Sequence, residues 1–79
     1  MPHYHFHVHN DLIAPDEEGV EFPDLDAAKA SAIVGARHLM SDEIKLKGRL
    51  SLSHSIEIAD SQGMLLDVTR FGDCVTIRS

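Results

Sequence analysis

Residues 3–9 read His-Tyr-His-Phe-His-Val-His, and this strict alternation constrains the fold more than any other stretch. Successive side chains on a β-strand point to opposite faces, so a period of two in aromatic and β-branched residues predicts a strand. Tyr4, Phe6 and Val8 fall on one face, and His3, His5, His7 and His9 on the other. Only the first of these faces needs a cover.

The cover is predicted from residue 24 onward. Pro23-Asp24 opens a helix, since the Asp24 carboxylate can accept from backbone N–H groups that have no partner in the first turn. Asp26 adds negative charge at the positive end of the helix dipole. Leu25, Ala28, Ala32, Ala36 and Leu39 recur every three or four residues and form one stripe, which Ile33, Met40 and Ile44 widen. Lys29 and Arg37 point elsewhere. Gly35 in mid-helix costs about 1 kcal/mol relative to Ala, which suggests a close approach to the sheet. The helix should fade between Asp42 and Gly48.

A second alternating run places Leu50, Leu52, His54, Ile56 and Ile58 on one face and Ser51, Ser53, Ser55 and Glu57 on the other. Asp60-Ser61-Gln62-Gly63 reads as a hairpin turn, with Gly63 where a positive φ is needed. Met64 to Thr69 should return as a strand, with Leu66 and Val68 inward and Asp67 and Thr69 outward. Phe71 closes the core edge, Gly72 breaks the strand, and Asp73 to Ile77 form a short last element. Leu12-Ile13-Ala14 and Val20-Glu21-Phe22 flank the turn-rich segment Pro15 to Gly19 as a short hairpin or a β-like excursion.

These readings combine into one α+β domain over residues 1–79. Its two layers are one long helix and a three- to four-stranded, mainly antiparallel sheet, in the order β-(β)-α-β-β. Tyr4, Phe6, Val8, Leu52, Ile56, Leu66 and Val68 meet the helix. The far face carries His3, His5, His7, His9, Ser51, Ser53, Ser55, Asp67 and Thr69, a polar face suited to solvent or to a dimer.

A chain of 79 residues builds only a marginal core, and such chains often add a metal, a disulfide or a partner subunit. Cys74 is the single cysteine, so no disulfide forms within the chain, and its thiol fits a reducing cytoplasm. The formal net charge is -6, with Asp11, Asp16, Glu17, Glu18, Glu21, Asp24 and Asp26 close together. Such a surface repels phosphate backbones, which argues against nucleic acid. The basic cluster Lys45, Lys47 and Arg49 reads as a solvated helix end. The segment Met1 to His5 lacks a secretion signal's basic and apolar regions, and no apolar run approaches the roughly 20 residues of a membrane span.

The histidine row is the most unusual chemistry. Ring-bearing positions two apart on a strand lie about 7 Å apart, close enough for two imidazoles to share one ion, whereas the whole row spans about 20 Å. His5 and His7 are therefore the candidate ligands for Zn or Ni, with an oxygen from Glu57 or Asp67. His38 and Asp42, four apart on the helix, could pair. His54 interrupts an apolar face as a core or edge histidine, and Cys74 behaves as a small hydrophobe. Ser53 and His54 are neighbours that point to opposite faces, so they form no nucleophile–base pair. The sequence holds no Gly-rich phosphate loop, nucleophile elbow or zinc-protease helix.

Pro2, Tyr4, Phe6-His7-Val8, Asp16-Glu17-Glu18-Gly19, Glu21, Pro23-Asp24-Leu25 and Ala27-Ala28 form an ordered set, followed by Gly63, Phe71, Asp73 and Val75. This set resembles a family of small uncharacterised proteins of rhizobia and related α-proteobacteria, catalogued as a domain of unknown function. The resemblance implies a stand-alone bacterial cytoplasmic domain and carries no activity with it. The family pattern usually has a histidine only at the position of His7 and usually Asp-Gly where this chain has Asn10-Asp11, so the resemblance implies that His3, His5 and His9 are particular to this chain.

The expectation is a small non-enzymatic interaction module that self-associates as a homodimer. The competing expectation is a metal-binding protein that uses the His3–His9 strand through His5 and His7.

Overall fold

The computed structural model describes residues 1–10 and 13–79. Leu12, expected in a hairpin arm, and Asp11, counted with the acidic cluster, lie outside the described residues. The chain forms β1 (His3–His9), β2 (Ile13–Ala14), β3 (Val20–Glu21), α1 (Leu25–Lys47), β4 (Ser55–Ala59) and β5 (Leu65–Arg70). One helix packs on an open antiparallel sheet, as the alternating and helical periods require. The sheet runs β2-β1-β4-β5, and β3 pairs with β1 on the same side as β2. It therefore has five strands but is only four wide, because β2 and β3 share one edge.

α1 begins where its cap dictates. Asp24 is extended and its carboxylate accepts from Ala27 N–H at 2.8 Å. At the other end Gly48 takes a left-handed conformation and donates to the Ile44 carbonyl. Ala28, Ala32, Ala36 and Met40 are the buried stripe. Leu39 and Ile44, expected to share it, are largely exposed. Small alanines let the helix sit close to the sheet, so side chains at the rim of the stripe stay outside. Gly35 is not required for that approach: a Cβ there would meet Ile56 Cδ1 at an ordinary 3.8 Å.

Tyr4, Phe6, Val8, Ile56 and Ile58 face the helix as expected, with Phe71 and Cys74 closing the core. Full burial, as at Ile56 and Ile58, contributes roughly 1.5–3 kcal/mol per side chain, and the partly buried Phe6 and Val8 contribute less. The segment before β4 departs from expectation. Leu50 to His54 are not strand; residues 52–53 turn instead. Glu43 accepts from Ser51 N–H and Oγ–H, and Leu52 C=O accepts from Gly72 N–H. A Cβ on Gly72 would lie 3.3 Å from that carbonyl oxygen, so the absence of a side chain permits the contact. The end of the chain also differs: a 3-10 turn at Phe71–Asp73 replaces the expected element at Asp73 to Ile77.

The largest correction concerns β5, whose faces are the reverse of those its polarity suggests. Asp67 pairs with Ile58 and Thr69 with Ile56, so both lie on the helix side. Thr69 is only 8% exposed, whereas Leu66 and Val68 are each 36% exposed. The cause is the hairpin. Asp60 accepts N–H groups from Gln62 and Met64, Gly63 takes φ 84°, and the register shifts between Ile58 and Ala59. One extra residue in the ladder moves every later side chain to the other face.

Candidate functional site

The outer face of the sheet can be read from the ladder, since directly opposed residues share a face. Its rows are His5–Ala59–Leu65, His7–Glu57–Val68 and His9–Ser55–Arg70. The expected polar face is thus polar along β1, at Ser55 and Glu57 of β4 and at Arg70 of β5. Along β5 it carries Leu65 and Val68. Ser51 and Ser53 are not in the sheet, and Asp67, proposed as an oxygen donor to the histidines, lies on the opposite face. Glu57 does join them: His9 Nε2 lies 2.7 Å from its Oε1. At the other end of the row, His3 Nδ1 sits 3.7 Å from Glu21, in an exposed pair.

His5 and His7 are half-buried rather than open, because the β2–β3 connection crosses them. β3 meets β1 at His3 and Tyr4, and β2 meets it at Val8 and His9. Between those contacts, three residues of β1 face five of the connection, so the connection arches outward. Asp16 fills the gap. Its carboxylate accepts from Phe6 N–H at 3.1 Å, taking the place of a strand partner. The same side chain accepts from Glu18 and Gly19 N–H, closing the turn on itself. Asp16 C=O lies 2.9 Å from His5 Nδ1, and Asp16 N–H donates to His7 Nδ1 at 3.0 Å.

These two contacts assign opposite tautomers. A carbonyl only accepts, so His5 Nδ1 carries its hydrogen; an amide N–H only donates, so His7 Nδ1 is bare. The rings stack at 6.4 Å and 19°. Gly19, at φ 75°, lies directly against the His5 ring, where a Cβ would stand 2.9–3.2 Å from three ring atoms. Partial burial pushes the Asp16 carboxyl up, but the Gly19, Phe6 and Glu18 N–H groups and the charge of His5 outweigh it, leaving its pKa below the ordinary value.

Ions on this face would use His5 and His7 through Nε2, because both Nδ1 atoms are held by Asp16. His7 would then have to change tautomer and give up the Asp16 N–H. Among the described residues no three His, Cys, Asp or Glu side chains gather where one metal ion could bind. The other residues singled out from the sequence lie elsewhere. His38 and Asp42 are exposed, with no contact recorded between them. His54 packs edge-on against Phe71 at 5.7 Å. Cys74 is buried, and burial raises its thiol pKa, assisted by Asp73 and opposed by Arg37. A depression of about 310 Å³ lies between Asn10, His54, Phe71 and the last turns of α1. Its Glu43 is occupied by Arg49 and Ser51, which hold its carboxyl below the ordinary value against partial desolvation.

Residues 3–72 match the model of DUF6894, a domain of unknown function. The chain belongs to this family. No curated protein and no solved structure matches it. The matched span takes in the Asp16 arch, the helix and both long hairpin strands. No helix among the described residues is long and apolar enough to cross a membrane.

Two features escaped the sequence reading. In the sequence Asp16 reads as one more acid in a turn, although Pro15-Asp16 followed by Gly19 is the pattern of a carboxylate that caps its own loop. The apolar outer edge of β5 was hidden by the bulge, which has no signature in residue type.

Proposed function

We propose that this DUF6894 domain is a small bacterial interaction module that self-associates as a homodimer and has no catalytic activity of its own. The observation that carries this reading is the β5 edge. β5 pairs with β4 on one side only, and it presents Leu65, Leu66 and Val68 to solvent next to the exposed Met64. An unpaired strand edge offers backbone donors and acceptors to another strand, and exposed aliphatics beside it reward covering. A core this small gains from a second subunit. The reading includes a cytoplasmic location, which the buried free thiol suits. Sedimentation across a concentration series tests it: a dimer at high micromolar protein is expected, and a strict monomer at millimolar protein overturns it.

The second reading, metal binding, draws on the stacked His5 and His7 rings. Calorimetry with Zn²⁺ or Ni²⁺ should then show a binding step that is lost in both His5→Ala and His7→Ala and unaffected in His38→Ala. Binding should weaken as pH falls, because an imidazole must be free of its proton to ligate a metal.

A further inference from the structure

We infer that the second copy docks edge to edge on β5, antiparallel, with Val68 facing Val68 of the partner across the two-fold axis. This rests on the self-association reading and specifies its geometry.

The direction of the backbone groups comes from the end of the hairpin. Phe71 N–H donates to His54 C=O at 2.9 Å, so Phe71 and His54 form a hydrogen-bonded pair. Such pairs alternate along an antiparallel ladder. Thr69 with Ile56 is therefore bonded, and Val68 with Glu57 and Arg70 with Ser55 are not. The N–H and C=O of Val68 and Arg70 point away from β4, out of the sheet edge.

Symmetry then restricts the register. Two antiparallel copies of one strand are related by a two-fold axis perpendicular to the sheet, so directly opposed residues lie on the same face and both helices share one side. The axis can pass only at a residue. At Asp67 it sets two carboxylates directly opposite each other, which is repulsive. At Thr69 the overlap runs into Phe71, which has left the strand for the 3-10 turn and is buried. At Val68 the overlap covers Leu66 to Arg70. Val68 then exchanges both its outward hydrogen bonds with its own counterpart. Asp67 meets the partner's Thr69 hydroxyl on the inner face, twice by symmetry. β5 carries one Asp and one Arg, so this edge is neutral in a chain of net charge -6. A second copy of this chain is therefore the occupant to which the edge is complementary.

Val68→Pro is the diagnostic substitution. The Val68 N–H takes no part in the β4 ladder, so proline there leaves the monomer's bonds in place and removes a donor only from the free edge. The expected result is loss of the dimer in sedimentation with an unchanged circular dichroism spectrum. Val68→Lys is the second variant, should proline distort the strand, and it should also give a monomer. Val68→Cys should form a disulfide-linked dimer under mild oxidation, since bonded pairs lie about 5.5 Å apart at Cα, within disulfide range. Thr69→Cys should link poorly, and wild type, with Cys74 buried, should not link. A dimer that persists in both Val68→Pro and Val68→Lys, or that links through Thr69→Cys instead, overturns this geometry while leaving self-association intact. A wild-type monomer overturns both.

Discussion

Along one edge of the sheet, β2 and β3 give β1 two residues each, and the carboxylate of Asp16 fills the gap between them. Along the other, β5 runs for 6 residues with no further strand beyond it among the described residues. The first edge is short, arched and surrounded by Glu17, Glu18 and Glu21. The second is longer and neutral, and it carries aliphatic side chains on its outer face. Short strands, bulges and charge are the devices that keep sheet edges from pairing. This chain applies all three at β2–β3, whereas the span from Asp67 to Arg70 keeps a regular ladder and carries one charge of each sign, at its two ends. The difference teaches that one sheet can finish its two edges by different means: the first is closed by the arch, and the second is left unpaired among the described residues.

Substitutions should separate the two edges. Gly19→Val is expected to have the largest effect, because it forces a β-branched residue to φ 75° and drives its Cβ into the His5 ring. A cost of about 2–4 kcal/mol follows from the backbone strain and the overpacking together. Denaturant unfolding measures it, and a cost below 1 kcal/mol would show that the arch is not fixed. Asp16→Ala should follow at about 1–3 kcal/mol, since it strips Phe6 N–H of its partner in a half-buried place. Val68→Lys should change monomer stability by no more than about 0.5 kcal/mol, as expected of an exposed position. If Val68→Lys destabilises the monomer as much as Asp16→Ala does, the division between the two edges fails.

Acid sharpens the same comparison. The folded-state pKa of Asp16 lies below its ordinary 3.8 and that of Glu43 below its ordinary 4.5. Each carboxylate therefore stabilises the fold above its unfolded pKa, and that contribution disappears as pH falls through the lowered folded value. Thermal melting followed downward from neutral pH should show stability dropping through the carboxylate range. Asp16→Asn should flatten part of that drop, and an unaltered slope would remove Asp16 from the account. Val68 contacts neither of these carboxylates' hydrogen-bond partners, so Val68→Lys should leave the slope unchanged. A small effect is also expected at His9→Ala. Its pair with Glu57 is about one-third exposed on each side, which limits the loss to under about 1 kcal/mol by thermal melting.

Legibility followed the strength of the local signal. The strand at His3–His9, the cap at Asp24, the alanine stripe and the turn closing at Gly63 all stand on short-range patterns, and the structure has each of them. The orientation of β1 was also readable, because Tyr4, Phe6 and Val8 leave no other face to bury. Failures came where a tertiary contact overrode the local pattern. Leu50 and Leu52 continue an alternation that Glu43 and Gly72 interrupt from distant parts of the chain. His5 and His7 looked open because nothing local shows that Asp16, about ten residues on, would return over them.

What the sequence by itself determined was the inventory: one amphipathic helix, two alternating hairpin strands, a histidine row on the face away from the helix, and an acidic segment. Side-chain period and turn chemistry act over a few residues, and they are sufficient for that much. Tertiary structure alone decided which residues of β5 face the helix. Leu66 and Val68 are apolar and Asp67 and Thr69 are polar, so periodicity assigned them in the usual sense. The extra residue at the Ile58–Ala59 register shift reversed that assignment, burying Thr69 and turning Val68 outward. Register is a property of two strands and the turn between them, and no single strand's sequence contains it.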